Sequence, residues 1–423
     1  MIQSNYYLSR IIEALLISIA VSALMAPVSI KVAHKLGVID KPKDGRRMHT
    51  KPIPRFGGMA IFLGSMAALT IPAGMNGLIK IAMLGGVLMY GLGVVDDIFD
   101  IKPVVKFAGQ FAIATLVYAL GIRITFISNY FGSTVIADEN ANVILSSGLA
   151  FLITVFWIVG ITNAVNLMDG LDGLAAGSVA IMSMSLAYIA YIHGTRLGSM
   201  PVCIALVAVA GGCIGFLPFN FSPAKTFMGD GGALYLGYMI AVLSVISPLK
   251  QATVVGAIIP MMTLAVPIFD TMFAMLRRLL NHEPIMKADR GHLHHHLMAA
   301  GFGQRRSVLI MYGIVGIMGM VAVLISRELY KDAFMLFLIA LLYLGIIIVP
   351  KRPKKNLREI ITQDTLDTQK ENFVDYLHFE RERRKQLRET GQAEDPKQFI
   401  NADPEEGGKA DWSKKKDKEK KEN

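Results

Sequence analysis

The sequence predicts an all-α polytopic membrane protein with about eleven transmembrane helices, the N-terminus outside and the C-terminus cytoplasmic. Apolar runs of about twenty residues recur from Leu8 to Val349, the length an α-helix needs to cross a hydrocarbon layer about 30 Å thick. The connections between these runs alternate in charge. The connection "KVAHKLGVIDKPKDGRRMHTKPIPRFGG" and every second one after it carry about seventeen Lys and Arg, against about seven in the other set, and positive charge marks the cytoplasmic side. With 39 glycines and 53% apolar residues, the composition fits closely packed membrane helices better than a soluble core.

The spans fall at about 8–30, 57–75, 77–95, 103–121, 147–166, 173–193, 199–217, 231–247, 251–276, 308–325 and 333–350. The first is too long, and too poorly followed by a cleavage site, for a removed signal peptide. The seventh contains Cys203 and Cys213 with no histidine or second pair nearby, so both read as small packing residues, not metal ligands or disulfide partners. In the ninth, Pro260 and Pro267 predict a kink, and Asp270 reads as a partner of Arg277 or Lys106. After Pro350 the composition turns to mixed charge, ending in "KKKDKEKKEN". The chain therefore divides into an integral membrane domain, 1–350, and a charged, partly disordered cytoplasmic tail, 351–423. The tail nearly balances its own charge, so the net charge of +10 belongs mainly to the membrane body; it reads as positive-inside charge, with no nucleic-acid partner.

Four polar clusters share one parity. "GVVDDIFDIKPVVK" follows the third span, "NLMDGLDG" the fifth, "FSPAKTFMGDGGA" the seventh and "RRLLNHEPIMKADRGHLHHHL" the ninth, all on the basic face together with the first loop. This common side points to one site assembled at the inner membrane surface. Asp96, Asp97 and Asp100 form a DDxxD pattern suited to holding Mg²⁺ or a proton near a phosphate, and the helix dipole disfavours carboxylates at a helix C-terminus, which argues for a use. The plainer reading is a helix running out into a hydrated acidic loop. Lys106 is placed to meet a phosphate as a point charge.

Asn166, Asp169 and Asp172 share a face if the helix continues, although Gly170 and Gly173 argue that it does not; Asp172 also reads as the N-cap of the next helix. Asp230 lies between glycines at a helix start, where backbone approaches a ligand closely and anions are favoured, and so suits a metal bridging to phosphate. "HLHHHL" lacks cysteine partners for zinc, and the oxygen-rich company suits Mg²⁺, with Mn²⁺ an alternative. With Arg290, the imidazoles would cradle a diphosphate; the plain alternative is a hydrated loop. Five or more carboxylates exceed what one Mg²⁺ needs, so some must act as base, sugar contact or structural partner.

Taken in order, "DKPKDGRRMHTKPIPRFGG", "VVDDIFDIKP", "NAVNLMDGLDGLAAG", "FMGDGGALYLG" and "RGHLHHHL" resemble the motifs of polyprenyl-phosphate N-acetylhexosamine 1-phosphate transferases, over residues 1 to about 350. The "RRMHTKPIPRFGG" and "HLHH" patterns look like the undecaprenyl-phosphate N-acetylglucosaminyl 1-phosphate transferases; the relative that uses the muramoyl-pentapeptide nucleotide has a different first loop. The resemblance implies transfer of N-acetylglucosamine 1-phosphate from a UDP-sugar to undecaprenyl phosphate in the bilayer, releasing UMP. It places the protein in the bacterial cytoplasmic membrane, facing the cytoplasm, in the first membrane step of surface polysaccharide or teichoic acid assembly, and is compatible with a homodimer. By motif position, Asp96 and Asp97 resemble the catalytic acid pair, with Asp230 counted among the catalytic acids, and Asp230 and Asn166 resemble the Mg²⁺ ligands. Asp169 and Asp172 resemble nucleotide contacts. Lys106, Arg290, His292, His294 and His295 resemble the phosphate- and sugar-binding set. Ala233 stands where a serine is usual, which removes one hydroxyl contact. The expected mechanism is direct attack by the lipid phosphate on the sugar-linked phosphorus, with Asp96 or Asp97 as base and Mg²⁺ neutralising developing charge; a two-step route through an aspartyl-phosphate is the alternative. An ion-coupled transporter is the competing class, but it would place its charges near mid-helix, not at helix ends on one side.

Overall fold

The computed structural model describes residues 2–40, 52–70, 77–128, 142–197, 199–246 and 302–348, with isolated positions between 261 and 298. Ten helices are present among the described residues: α1 (Ile2–Leu36), α2 (Gly58–Thr70), α3 (Gly77–Phe99), α4 (Pro103–Ala119), α5 (Ser147–Met168), α6 (Leu174–Leu197), α7 (Met200–Asn220), α8 (Gly229–Ile246), α9 (Gln304–Ser326) and α10 (Tyr330–Ile348). Every predicted span falls on one of them except 251–276, which lies almost wholly outside the described residues, as do Asp270 and Arg277. The tail is also outside. Seven of the helices, α1, α3, α5, α6, α7, α8 and α9, are long and apolar enough to cross a membrane, and the protein is a mostly helical, multi-pass membrane protein.

The helix sequences explain their places. α8 has no polar face, and every residue from Gly231 to Val245 is buried; a helix that is apolar all round belongs in the middle of a bundle. It lies against α3 and α5, with α2 and α7 also in contact. Outside this centre, α1 packs on α2 and α7, α6 sits between α7 and α9, and α10 covers α9. Large apolar side chains face outward, such as Leu24 on α1 and Phe334 and Leu342 on α10, as expected where the surroundings are lipid tails.

Lipid supplies little apolar drive between helices, so close approach and polar contacts must hold them. Ser18 and Ser22 of α1 donate to the α7 carbonyls of Ala208 (2.6 Å) and Gly212 (2.7 Å). A Cβ on Gly215 of α7 would stand 2.4 Å from the Ile19 carbonyl oxygen, so only glycine permits this approach. Cys203 and Cys213 are free and buried in α7, as packing residues should be.

Two short antiparallel pairs were not visible in the sequence pattern. β1 (Ile39–Asp40) pairs with β2 (Ile53–Pro54), and β3 (Phe126–Ser128) with β4 (Asn142–Ile144). The first matters most for the site. Its exit runs into a parallel bridge between Arg55 and Phe227, and Phe227 N donates to Pro54 O (2.8 Å) while Gly57 N donates to Phe227 O (2.8 Å). The segment before α2 is thereby laced to the segment before α8.

Candidate active site

The C-terminal ends of α3 and α5 and the N-terminal ends of α4 and α8 converge at one end of the bundle. Asp230, in the first turn of α8, is the hub. Its Oδ1 accepts from Lys106 Nζ of α4 (2.6 Å), its Oδ2 pairs with the Arg55 guanidinium, and the Asn166 side chain of α5 also hydrogen-bonds it. Lys106 reaches Asp96 Oδ2 as well (2.7 Å), and Arg55 Nε reaches Asp97 Oδ1 (3.3 Å). Two cations are thus each shared between Asp230 and one member of the Asp96 and Asp97 pair.

Asp97 does more than pair with arginine. Its Oδ1 accepts from the backbone N–H of Asp230 and its Oδ2 from that of Gly231, both at 2.9 Å, so the last turn of α3 caps the first turn of α8. The anion-favouring start of α8 is therefore occupied by a carboxylate of the chain itself. This contact shows where the dipole cost of an acid at the end of α3 is offset. Two glycines make the contact possible. A Cβ on Gly93 would lie 2.5 Å from the Asp230 carbonyl oxygen, and one on Gly229 would lie 2.7 Å from Asp97 Oδ2. Gly229 also has φ of +77°, a left-handed conformation that favours glycine.

The DDxxD pattern divides. Asp96 is buried, and its Oδ1 accepts from Ile101 N (3.1 Å), which folds the α3–α4 turn around it. Asp100 is exposed with φ of +49° and belongs to the end of the helix, so the plainer reading holds for this one acid. The "NAVNLMDGLDG" segment divides too. Asn163 donates to Gln110 Oε1 of α4 (2.5 Å) and to Val159 O (2.8 Å), and Gln110 is fully buried, so this amide joins α4 to α5 one turn from the site. Asn166 reaches Asp230. The helix ends at Met168 with Asp169 as its C-cap, so the three polar residues do not continue along one helical face. Asp172 does not cap α6; its Oδ2 accepts from Ala224 N (3.1 Å), in the loop before α8. Tyr312 of α9 fixes the turn between them by donating to Gly173 O (2.6 Å). Burial chiefly, then Asp230, Asp97 and Asp172, push the Asp169 carboxyl up to about 7 against the pull of Arg55. Burial acts to lower the Arg55 pKa, but Asp230, Asp97, Asp169 and Asp96 outweigh it.

Those four carboxylates outnumber the two side-chain cations beside them, Arg55 and Lys106, an excess of acid that is largest once Asp169 is ionised. Among the described residues, no three acids, histidines or cysteines converge to cage a metal alone. A hard divalent cation needs only one or two carboxylates and keeps waters or phosphates, and the all-oxygen donors of Asp230 and Asn166, with this surplus charge, fit it. Arg290, His292, His294 and His295 lie outside the described residues. Ala233 is fully buried in α8.

Residues 78–248, from α3 to the end of α8, match the family described as glycosyl transferase family 4. The chain is 37% identical over 333 residues to a Bacillus subtilis (strain 168) protein named "Probable undecaprenyl-phosphate N-acetylglucosaminyl 1-phosphate transferase", covering 78% of this chain and 89% of that one. The chain belongs to the polyprenyl-phosphate N-acetylhexosamine 1-phosphate transferase family. Other members resemble it over most of their length: a decaprenyl-phosphate N-acetylglucosaminephosphotransferase of Mycobacterium tuberculosis (strain ATCC 25618 / H37Rv) is 32% identical over 68% of this chain and 75% of its own. A phospho-N-acetylmuramoyl-pentapeptide-transferase of Geobacillus kaustophilus (strain HTA426) is 32% identical over 75% of this chain and 98% of its own. The family-matched segment contains Asp96, Asp97, Lys106, Asn166, Asp169, Asp172 and Asp230.

Sequence reasoning missed Arg55 as a site residue of this family member. The signal was present: a lone arginine between Pro54 and the Gly57–Gly58 pair, inside a loop quoted only as a whole. Gln110 and Tyr312 were missed because each lies inside an apolar span and acts through a partner far along the chain.

Proposed function

We propose that the protein transfers N-acetylglucosamine 1-phosphate from UDP-N-acetylglucosamine to undecaprenyl phosphate, giving the lipid-linked diphosphate sugar and UMP. The reaction takes place at the cytoplasmic face of the bacterial cytoplasmic membrane, in a chain with eleven transmembrane helices, N-terminus outside and C-terminus inside. The observation that carries this reading is the shared cluster of Asp96, Asp97, Asp230, Lys106 and Arg55, built from the ends of α3, α4 and α8 and the segment before α2, at one end of an apolar bundle. Acids and bases at that level serve a lipid held in the bilayer and a nucleotide held in water. A proton or ion pathway would instead put its charges near mid-helix.

Asp230 and Asn166 would hold Mg²⁺, or Mn²⁺, which supplies charge neutralisation at the diphosphate. By motif position in the family, Lys106 and Arg290 would hold phosphate oxygens, and Asp169, Asp172, His292, His294 and His295 would contact the nucleotide and sugar. Asp96 accepts the proton of the lipid phosphate, because its Oδ2 meets only the Lys106 ammonium among the described residues, whereas both oxygens of Asp97 already accept from α8. A lipid phosphate oxygen forms the new bond to the sugar-linked phosphorus, and the pyrophosphate bond breaks with its electron pair leaving on UMP. Asp97 positions Asp230 and Arg55. The same engagement argues against Asp97 as a covalent nucleophile.

A panel of UDP-sugars offered to purified protein with undecaprenyl phosphate tests the substrate, with the lipid product read by mass spectrometry. UDP-N-acetylglucosamine should give the product; exclusive use of the muramoyl-pentapeptide nucleotide would overturn the assignment while leaving the chemistry.

A further inference from the structure

Arg55 stands apart from the other cation of the cluster. Lys106 is only 15% exposed and wedged between Asp96 and Asp230, whereas the Arg55 side chain is 43% exposed although it contacts two carboxylates. Its backbone is fixed: its N–H donates to Val38 O (3.0 Å), and the residue bridges to Phe227. The side chain uses two different edges, Nε toward Asp97 and Nη2 toward Asp230. Asp97 is 1% exposed and tied to α8, so it is a fixed pivot; Asp230 is the partner that a divalent cation would also claim.

We infer that Arg55 is a substrate-binding residue that occupies Asp230 in the resting site and, once a divalent cation takes that oxygen, turns about its Asp97 contact to bind the diphosphate of the nucleotide-sugar. This rests on the proposed function above. A guanidinium fork matches two phosphate oxygens, which a lysine ammonium does not. The inference gives Arg55 opposite effects on the two ligands: it opposes the metal and favours the nucleotide.

The experiment titrates Mn²⁺ into the purified full-length protein without substrate, followed by its magnetic resonance signal, and then UDP-N-acetylglucosamine at saturating Mn²⁺ by calorimetry. Removing a charged competitor or a charge-assisted contact is worth about tenfold in affinity. Arg55→Ala should therefore bind Mn²⁺ about tenfold tighter and the nucleotide about tenfold weaker. Arg55→Gln, which retains a donor toward Asp97, should show the same two signs and serves if the alanine variant does not fold. Arg55→Lys keeps the charge but not the fork, so it should leave Mn²⁺ binding near the parent value and still weaken the nucleotide. Unchanged or weaker Mn²⁺ binding in Arg55→Gln, or unchanged nucleotide binding in both neutral variants, overturns the inference alone. Parent protein that binds Mn²⁺ but no UDP-sugar overturns the proposed function, and the diphosphate half of the inference with it.

Discussion

At the scale of single residues, Asp96 and Asp97 are neighbours in sequence with different work. Asp96→Asn keeps an acceptor for Ile101 N but cannot take a proton, so turnover should fall by about 10²–10⁴-fold while UDP-N-acetylglucosamine binds with nearly the parent affinity. Asp97→Asn puts an amide donor against the N–H groups of α8 and loses the ion pair to Arg55. It should cost about 1–3 kcal/mol and lower the denaturation temperature as well as activity. Equal stability of the two variants in thermal denaturation would show that the cap is not the role of Asp97. Asp169 gives a pH signature. Its folded pKa of about 7 lies above the ordinary carboxylate value, so its contribution to stability is fully present below about pH 4 and lost as pH rises through about 7. In metal-free buffer the denaturation temperature of the parent should therefore decline more steeply than that of Asp169→Asn from about pH 5 to about pH 8. Parallel curves would contradict this. The sequence marked these acids because they break apolar runs. It could not show that Asp97 caps a helix 133 positions away, since no periodicity encodes that pairing.

At the scale of elements, the site depends on how closely α3 lies on the start of α8. Gly93 is the contact point, and even one methyl there meets the backbone of Asp230 and Gly231 at 2.5 Å. Gly91, one half-turn away, has nothing within 4 Å of its Cβ position. Gly93→Ala should thus destabilise by about 1–3 kcal/mol and reduce transfer at least tenfold, whereas Gly91→Ala should be neutral or gain up to about 1 kcal/mol of helix propensity. Transfer assays and thermal denaturation on the pair check this; similar losses in both would place the sensitivity elsewhere. Helix extents were legible because each span is a long apolar run with polar ends, as for α5 and α7. The β1–β2 pair was not: two residues on each side carry no alternation, and their register depends on contacts with the loop before α8. The same reason hid Arg55, whose aim toward Asp230 is set by that loop.

At the scale of the whole molecule, four helix ends converge and bring three of the four polar clusters to one end of the bundle, and the parity of the basic connections predicts that this end is cytoplasmic. The parity argument predicts that a reporter fused after Pro350 is cytoplasmic and one fused within "GSTVIADENANV" is external; finding both on one side would break it. The central claim is that the cluster around Asp230 is where a soluble sugar nucleotide and a membrane lipid react. Its most direct test is UMP release by the purified protein from UDP-N-acetylglucosamine, with Mg²⁺ and undecaprenyl phosphate each omitted in turn, for the parent and for Asp230→Asn. The account predicts release only when both are present, and a fall of about 10²-fold or more in Asp230→Asn, with a raised Mg²⁺ requirement. Release that continues without the lipid, or near-parent turnover of Asp230→Asn at ordinary Mg²⁺, would contradict it.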